Sequence, residues 1–243
     1  MKIFLAGTFS EQKNAETIKQ SKYLLESFYY IKPWQAELMQ SAKEFVLDSG
    51  AFSFMQDEKK TVNWEEYANR YADFINEYDI KLYIELDLDY IIGVERSREL
   101  RKLLENKTGK KAIPVWHKIR GKQEFFDMCE QYEYVALGGI VGQRWKGVEQ
   151  YFPWFIKEAH KRGARIHGLG YTKVSNLPKY HFDSVDSTRW NCSRFGRIEY
   201  FDGETMQTVD NRAKGKRVQN DKDANMFTFK EWVKFQEYAE RNL

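Results

Sequence analysis

The chain has 243 residues, of which 42% are apolar and 16% aromatic, enough to bury the core of one large domain. Its net charge of +3 excludes binding of an anionic polymer through a global field, so any such affinity rests on local clusters: seven Lys/Arg against two Glu over 143–173, and seven against four acids over 187–218. Cys129 and Cys192 lie far apart with no CxxC or Cys/His spacing, which excludes a recognisable zinc site or disulfide framework, and no apolar run reaches the length of a signal peptide core or membrane span. A soluble, cytoplasmic protein without cofactor or metal is expected.

In chain order, short apolar runs alternate with amphipathic stretches, which is the βα pattern. The expected strands are 2–6 (KIFLA), 44–48 (EFVLD), 82–87 (LYIELD), 112–117 (AIPVWH), 134–139 (YVALGG), 165–170 (RIHGLG) and 182–187 (FDSVDS). Helices fall between them. The stretch 63–78 opens on Asn63 and Glu66 at capping-box spacing and puts Trp64, Tyr67, Tyr71, Phe74 and Tyr78 on one face. Residues 94–107 and 148–163 read the same way, the second stopping at Gly163. Strands of this kind with crossover helices predict an α/β fold, a (β/α)8 TIM-type barrel over residues 1–197, with a doubly wound open sheet as the alternative. Residues 198–243 form a C-terminal appendage: a hairpin turning at Asp202-Gly203, a polar mobile loop over 211–225, and a last helix opened by a second capping box, Thr228 to Glu231.

Barrel enzymes work at the C-terminal ends of their strands. Those ends carry Asp48, Asp87, Asp89, His117, Asp183 and Asp186, with glycine backbones between them. A single aspartate at a strand end is usually a helix cap. Five acids at three strand ends instead point to carboxylates crowded into one pocket, where mutual repulsion pushes their pKa values apart and yields an acid and a nucleophile from one residue type. No GxGxxG or P-loop occurs, which argues against a nucleotide cofactor.

The segments LDSGAFSF, VALGGIVGQ, RIHGLGY and HFDSVDSTRWNCSRFG occur in the order and approximate spacing of the motifs of the tRNA-guanine transglycosylase family, DSGGFQ, GGLAVGE, MGVG and FDCVLPTRxxRxG. Over 44–197 the chain resembles that family, and it is similar in its short length to the phage and bacterial members that put 7-deazaguanines into DNA. The resemblance implies base exchange: Asp183 as nucleophile at C1′ of the sugar, Asp48 as general acid/base, and Asp87 or Asp89 reading the base edge. It further implies a base pocket of Ser49, Gly50, Phe52, His117, Gly138, Gly139, Gly168, Gly170 and Tyr171, with His117 near the position of the family's glutamine. Arg189, Arg194 and Arg197 would hold flanking phosphates, and Phe52, Trp116, Trp145 and Tyr171 are candidates to stack on a flipped base. Asp186, three residues on, is the rival nucleophile. The family's structural zinc site of three cysteines and a histidine has no counterpart in 198–243, which favours DNA over tRNA as the polynucleotide. The expected second substrate is a free 7-deazaguanine, in a host cytoplasm if the protein is phage-encoded. A homodimer or partner subunit is left open, and no membrane partner is expected. The alternatives are exchange on RNA, a catalytically silent nucleic-acid-binding subunit, and a barrel glycoside hydrolase using the same carboxylates.

Overall fold

A computed structural model describes residues 1–54, 62–140, 147–171, 173–210 and 222–243, without the side chains of Phe52 and Phe54. Eight parallel strands make up one curled sheet: β1 (Lys2–Ala6), β2 (Tyr23–Ser27), β3 (Glu44–Asp48), β4 (Leu82–Tyr83), β5 (Val115–Trp116), β6 (Tyr134–Leu137), β7 (Arg165–Gly168) and β8 (Ser184–Ser187). Their order is β4-β3-β2-β1-β8-β7-β6-β5. Beyond the named strands a parallel bridge joins Ile84 to Ile113, with Ile113 N–H donating to Tyr83 O (2.8 Å) and Glu85 N–H to Ile113 O (3.0 Å). The connections carry α1 (Ala15–Ile18), α2 (Pro33–Met39), α3 (Ala51–Phe54), α4 (Trp64–Glu77), α5 (Asp89–Ile92), α6 (Val94–Thr108), α7 (Gly121–Gln131) and α8 (Phe152–Lys161).

Strand periodicity divides the core in two. Phe4, Ala6, Tyr23, Leu25, Val46, Ile84, Ile113, Val115, Tyr134 and Ala136 pack together on the concave face of the sheet. Ile3, Leu5, Leu24, Leu47, Val135, Ile166 and Val185, the alternate positions, face the helices and join the larger cluster. On β8 this parity sends Ser184 and Asp186 inward and leaves Asp183 on the other register.

The helix α4 starts where its spacing predicts: Asn63 Oδ1 accepts from Glu66 N–H at 3.2 Å. Its buried tyrosines then tie down the sheet, Tyr67 donating to Ser49 O (2.6 Å) and Tyr71 to Leu47 O (2.9 Å) and Ile84 O (3.1 Å). The stretch 148–163 is not one helix. A 3-10 turn over Val148–Tyr151 precedes α8, whose first turn holds Pro153, a residue that cannot donate inside a helix.

The C-terminal appendage is a hairpin of β9 (Arg197–Phe201) and β10 (Met206–Asp210), then α9 (Lys222–Asn242). Thr228 and Glu231 do not open α9; they lie buried inside it, where Thr228 Oγ1 accepts from Glu199 N–H (3.4 Å) and Glu231 Oε2 from Phe201 N–H (3.1 Å). Their apparent capping box is a hairpin-binding face. Of the expected loop, 211–221 lies outside the described residues and 222–225 is helical. Among the described residues, no helix is long and apolar enough to cross a membrane.

Candidate active site

The C-terminal strand ends surround a cavity of about 500 Å³, lined by residues that include Gly7 after β1, Glu26 and Ser27 at the end of β2, Asp48 to Ala51 at β3, Asp87 after β4, His117 after β5, Gly139 after β6, Gly170 after β7 and Asp186 on β8. That is the size of a small-molecule site. Among the described residues, four carboxylates and one imidazole line it, and no lysine or arginine does.

Asp48 accepts from Gly50 N–H at 2.8 Å. Gly50 is held at φ +74°, and a Cβ there would stand 2.6 Å from both Ser27 Oγ and Tyr29 Cβ, so only glycine allows this turn. Burial pushes the Asp48 carboxyl up to about 7; the Gly50 hydrogen bond opposes this, and the charges of Asp87 and Asp186 add to it. Glu26, also raised chiefly by burial, accepts from Thr8 Oγ1 (2.9 Å) and Ser27 N–H (3.1 Å), while Gln35 donates to Thr8 Oγ1 (2.7 Å).

On the β4–β5 side the charges are locked. His117 stands between two acids, Nε2 3.2 Å from Asp87 and Nδ1 3.1 Å from Asp89. Asp89 in turn is gripped by Arg120, Nε at 2.5 Å and Nη2 at 2.7 Å, and the same guanidinium reaches Glu85 Oε1 at 3.0 Å. Arg101 meets the other oxygen of Glu85 at 3.3 Å. The side chains of Arg120, Asp89 and Glu85 have no exposed surface. Burial alone would raise the Asp89 carboxyl, but His117 and Arg120 overcome it and hold it at about 2. Burial likewise opposes charge on His117, and the two flanking acids win, so its pKa is raised. The imidazole fits here because residue 138 is glycine: a Cβ there would lie 2.5 Å from His117 Nε2 and 2.6 Å from Val115 Cγ1.

Asp186 accepts from Gly170 N–H at 2.5 Å and faces His167 Nε2 at 3.1 Å. Asp183 does not share this environment. It lies at the entry of β8, at the opposite end of the strand from the cavity, where its Oδ2 accepts from Ile166 N–H (2.7 Å) and meets His160 Nε2 (2.8 Å). The expectation that Asp183 faces the site is therefore corrected, because β8 begins only at Ser184 and an odd spacing along a pleated strand reverses the face.

The other expected site residues divide. Asp48, Ser49, Gly50, Asp87, His117, Gly139 and Gly170 line the cavity. Asp89 stands behind His117 as its support. Gly138 and Gly168 serve close packing: a Cβ on Gly168 would lie 3.3 Å from Phe182 and Val185. Tyr171 and Trp116 are buried among core aromatics, Tyr171 against Phe152 and Phe182, Trp116 against Phe125 and Phe155, with Trp116 Nε1 donating to Gly121 O. Neither is among the residues lining the cavity. The Phe52 side chain and Trp145 lie outside the described residues. Arg189 is committed to buried Glu199, Nε at 2.9 Å with Nη2 closer still, which corrects its reading as a phosphate clamp. Arg194, set over the ring of exposed Phe195, and Arg197 are exposed on the segment after β8. Sequence reasoning missed Glu26 and Ser27, at the end of the unrecognised strand YLLES, and the exposed tyrosines of the rim. Of these, Tyr30 lines the cavity, Tyr29 packs edge-on against it, and Tyr90 packs edge-on against His117.

Cys129 and Cys192 are buried free thiols. Among the described residues, no three His, Cys, Asp or Glu side chains are grouped to hold a metal ion.

No family model and no curated protein matches this chain. Among solved structures, it is similar to a variant of the citrate synthase SbnG, at 10% identity and a TM-score of 0.47, over 76% of this chain and 85% of that one.

Proposed function

We propose that this protein exchanges a guanine in a polynucleotide for a 7-deazaguanine through a covalent glycosyl-aspartyl intermediate, with Asp186 as nucleophile and Asp48 as general acid/base. The observation that carries the reading is the meeting of Asp48, Asp87 and Asp186 in one cavity, with Asp48 poised at about 7 and Asp186 fixed by two hydrogen-bonding groups. We read the sheet as a closed (β/α)8 barrel, supported by the Ile84–Ile113 bridge between its outermost strands.

In the first half-reaction an Asp186 oxygen attacks C1′ of the nucleotide. The new C1′–O bond replaces C1′–N9, the bonding pair leaves with the guanine, and Asp48 gives that base its proton. In the second, Asp48 takes a proton from the incoming base, whose nitrogen attacks C1′ and returns the bonding pair to Asp186. A group near pH 7 suits Asp48 to both directions. Asp87, held in place by His117, offers an acceptor to the edge of the base. Tyr30, Tyr29 and Tyr90 at the rim supply flat surfaces for a base lifted from its stack, and exposed Arg194 and Arg197 supply charge for phosphates. DNA is preferred to tRNA because Cys129 and Cys192 cannot supply the three thiolates of the zinc subdomain of tRNA-acting enzymes. Cytoplasmic action on intracellular DNA follows from that preference.

Release of labelled guanine from an oligodeoxynucleotide, with and without a free 7-deazaguanine, tests the proposal. Turnover beyond one guanine per enzyme that requires the incoming base supports it, the first equivalent being released as the glycosyl-enzyme forms. Repeated turnover without that base would identify a hydrolase, and binding without any release would identify a silent nucleic-acid-binding subunit.

A further inference from the structure

Behind Asp186 runs a buried chain of side chains for which the exchange reaction has no stated use. His167 on β7 presents Nε2 to Asp186 Oδ1 at 3.1 Å and Nδ1 to Ser184 Oγ at 2.6 Å. Ser184 is hydrogen-bonded on its far side to the hydroxyl of Tyr134 on β6. Exposure along the chain falls from 8% at Asp186 to 3% at His167 and 0% at Ser184, with Tyr134 at 6%. The ring of His167 is boxed edge-on by Phe4 and Tyr134, at centroid distances of 6.0 and 6.3 Å.

We infer that His167 is a positioning residue that aims Asp186 into the cavity, and that Ser184 and Tyr134 select the tautomer with which it does so. This rests on the reading of Asp186 as the nucleophile. A carboxylate only accepts, so Nε2 must carry the hydrogen that bridges to Asp186. Nδ1 is then an acceptor, and the hydroxyl within its reach is that of Ser184, which therefore donates. Ser184 has spent its one hydrogen and accepts from Tyr134, whose phenol has a hydrogen to give. The order Tyr134 to Ser184 to His167 to Asp186 uses each donor once and leaves no buried hydrogen unmatched. The charged groups around the chain are Asp186 itself, the Arg165 guanidinium 4.3 Å from the Tyr134 ring centroid, and Glu44 and Asp183, which act on Tyr134.

The same atoms could be mistaken for an Asp-His-Ser nucleophile set. Ser184 is wholly buried beneath His167, while Asp186 borders the cavity, so the carboxylate is the member that can meet a substrate. With Gly170 N–H and His167 Nε2 both directed to Oδ1, Oδ2 is left to attack. Loss of either donor lets the carboxylate rotate, and misplacement of a reacting atom by about 1 Å costs about a hundredfold in rate.

Two readouts test this. Ring nitrogen NMR of ¹⁵N-histidine-labelled protein, with His167 assigned by its loss in His167→Gln, should show the Nε2–H tautomer, and Ser184→Ala or Tyr134→Phe should shift it. In exchange kinetics, His167→Phe should lower kcat about a hundredfold with KM changed less than threefold. His167→Gln, which keeps an N–H for Asp186, should recover to within about tenfold of wild type. An Nδ1–H tautomer in the wild type would overturn the inference, and so would a His167→Phe enzyme of near-normal kcat. Wild-type protein with no exchange activity would defeat the functional reading alone, and the tautomer would still decide the role of His167.

Discussion

Asp183, just before β8, and Asp186, on it, stand three residues apart in different surroundings. Asp183, at the strand's entry, is partly exposed, bound to a backbone N–H and to His160 on α8. Asp186, three residues on, borders a cavity that it shares with Asp48, Asp87 and Glu26. An acid at the first end closes a strand edge. At the second it belongs to a set of like charges in a half-enclosed space, and that crowding, added to burial, moves Asp48 to about 7. Height along the strand, more than residue type, decides which aspartate is placed for chemistry.

The comparison breaks most visibly by exchanging one acid at a time. Asp186→Asn should lower base exchange by at least about a thousandfold, since an amide is a far poorer nucleophile, whereas Asp183→Asn should stay within about threefold. Rates from oligonucleotide assays check both, and equal losses would abolish the distinction.

A second contrast lies within the mouth. The β8–β3 acids border open space, but Glu85, Asp89, Arg101, Arg120 and His117 are mutually neutralised. Arg120→Met should destabilise the fold by about 3–5 kcal/mol, because it leaves two buried carboxylates without their main counter-charge. Urea denaturation measures this, and a loss below about 1 kcal/mol would mean that the pair is not needed. Gly138→Ala should cost less, about 1–3 kcal/mol, by driving a methyl group into His117 and Val115. Its thermal unfolding should report that shift.

The smallest effect is in pH dependence. The Asp48 carboxyl is raised from 3.8 to about 7 by folding. The folded state therefore holds a proton that the unfolded chain gives up earlier, and this contribution, present below about pH 4, is lost as pH rises through 7. Asp48→Asn keeps the acceptor for Gly50 N–H and cannot ionise. It should be more stable than wild type above pH 7 by about 1–2 kcal/mol, after allowance for water in the cavity, with the advantage gone below pH 4. Parallel denaturation curves at pH 4 and 8 test the sign.

Much of this arrangement is legible in the chain itself, within definite limits. The strands KIFLA and EFVLD end where the apolar run ends, and reading strand ends places Asp48, Asp87 and His117 at one mouth because Asp48 closes β3, His117 follows β5 directly and Asp87 lies four residues beyond β4. The strand YLLES escapes because Glu26 and Ser27 cut its apolar run to Tyr23, Leu24 and Leu25. Motif alignment singles out Asp183 by its place in a string, but a string has no height: parity along β8, counted from Val185 in the outer core, is what excludes it. Arg120 was invisible for another reason. Its partners Asp89 and Glu85 lie 31 and 35 residues away on another strand end, and only the folded sheet brings them together.

The most direct measurement is to trap the glycosyl-enzyme with a guanine-containing oligonucleotide in the absence of incoming base, digest the protein, and map the modified residue by mass spectrometry. The sugar should be found on Asp186. A sugar on Asp183, or noncovalent binding with no adduct on any carboxylate of the cavity, would contradict the mechanism derived from this site.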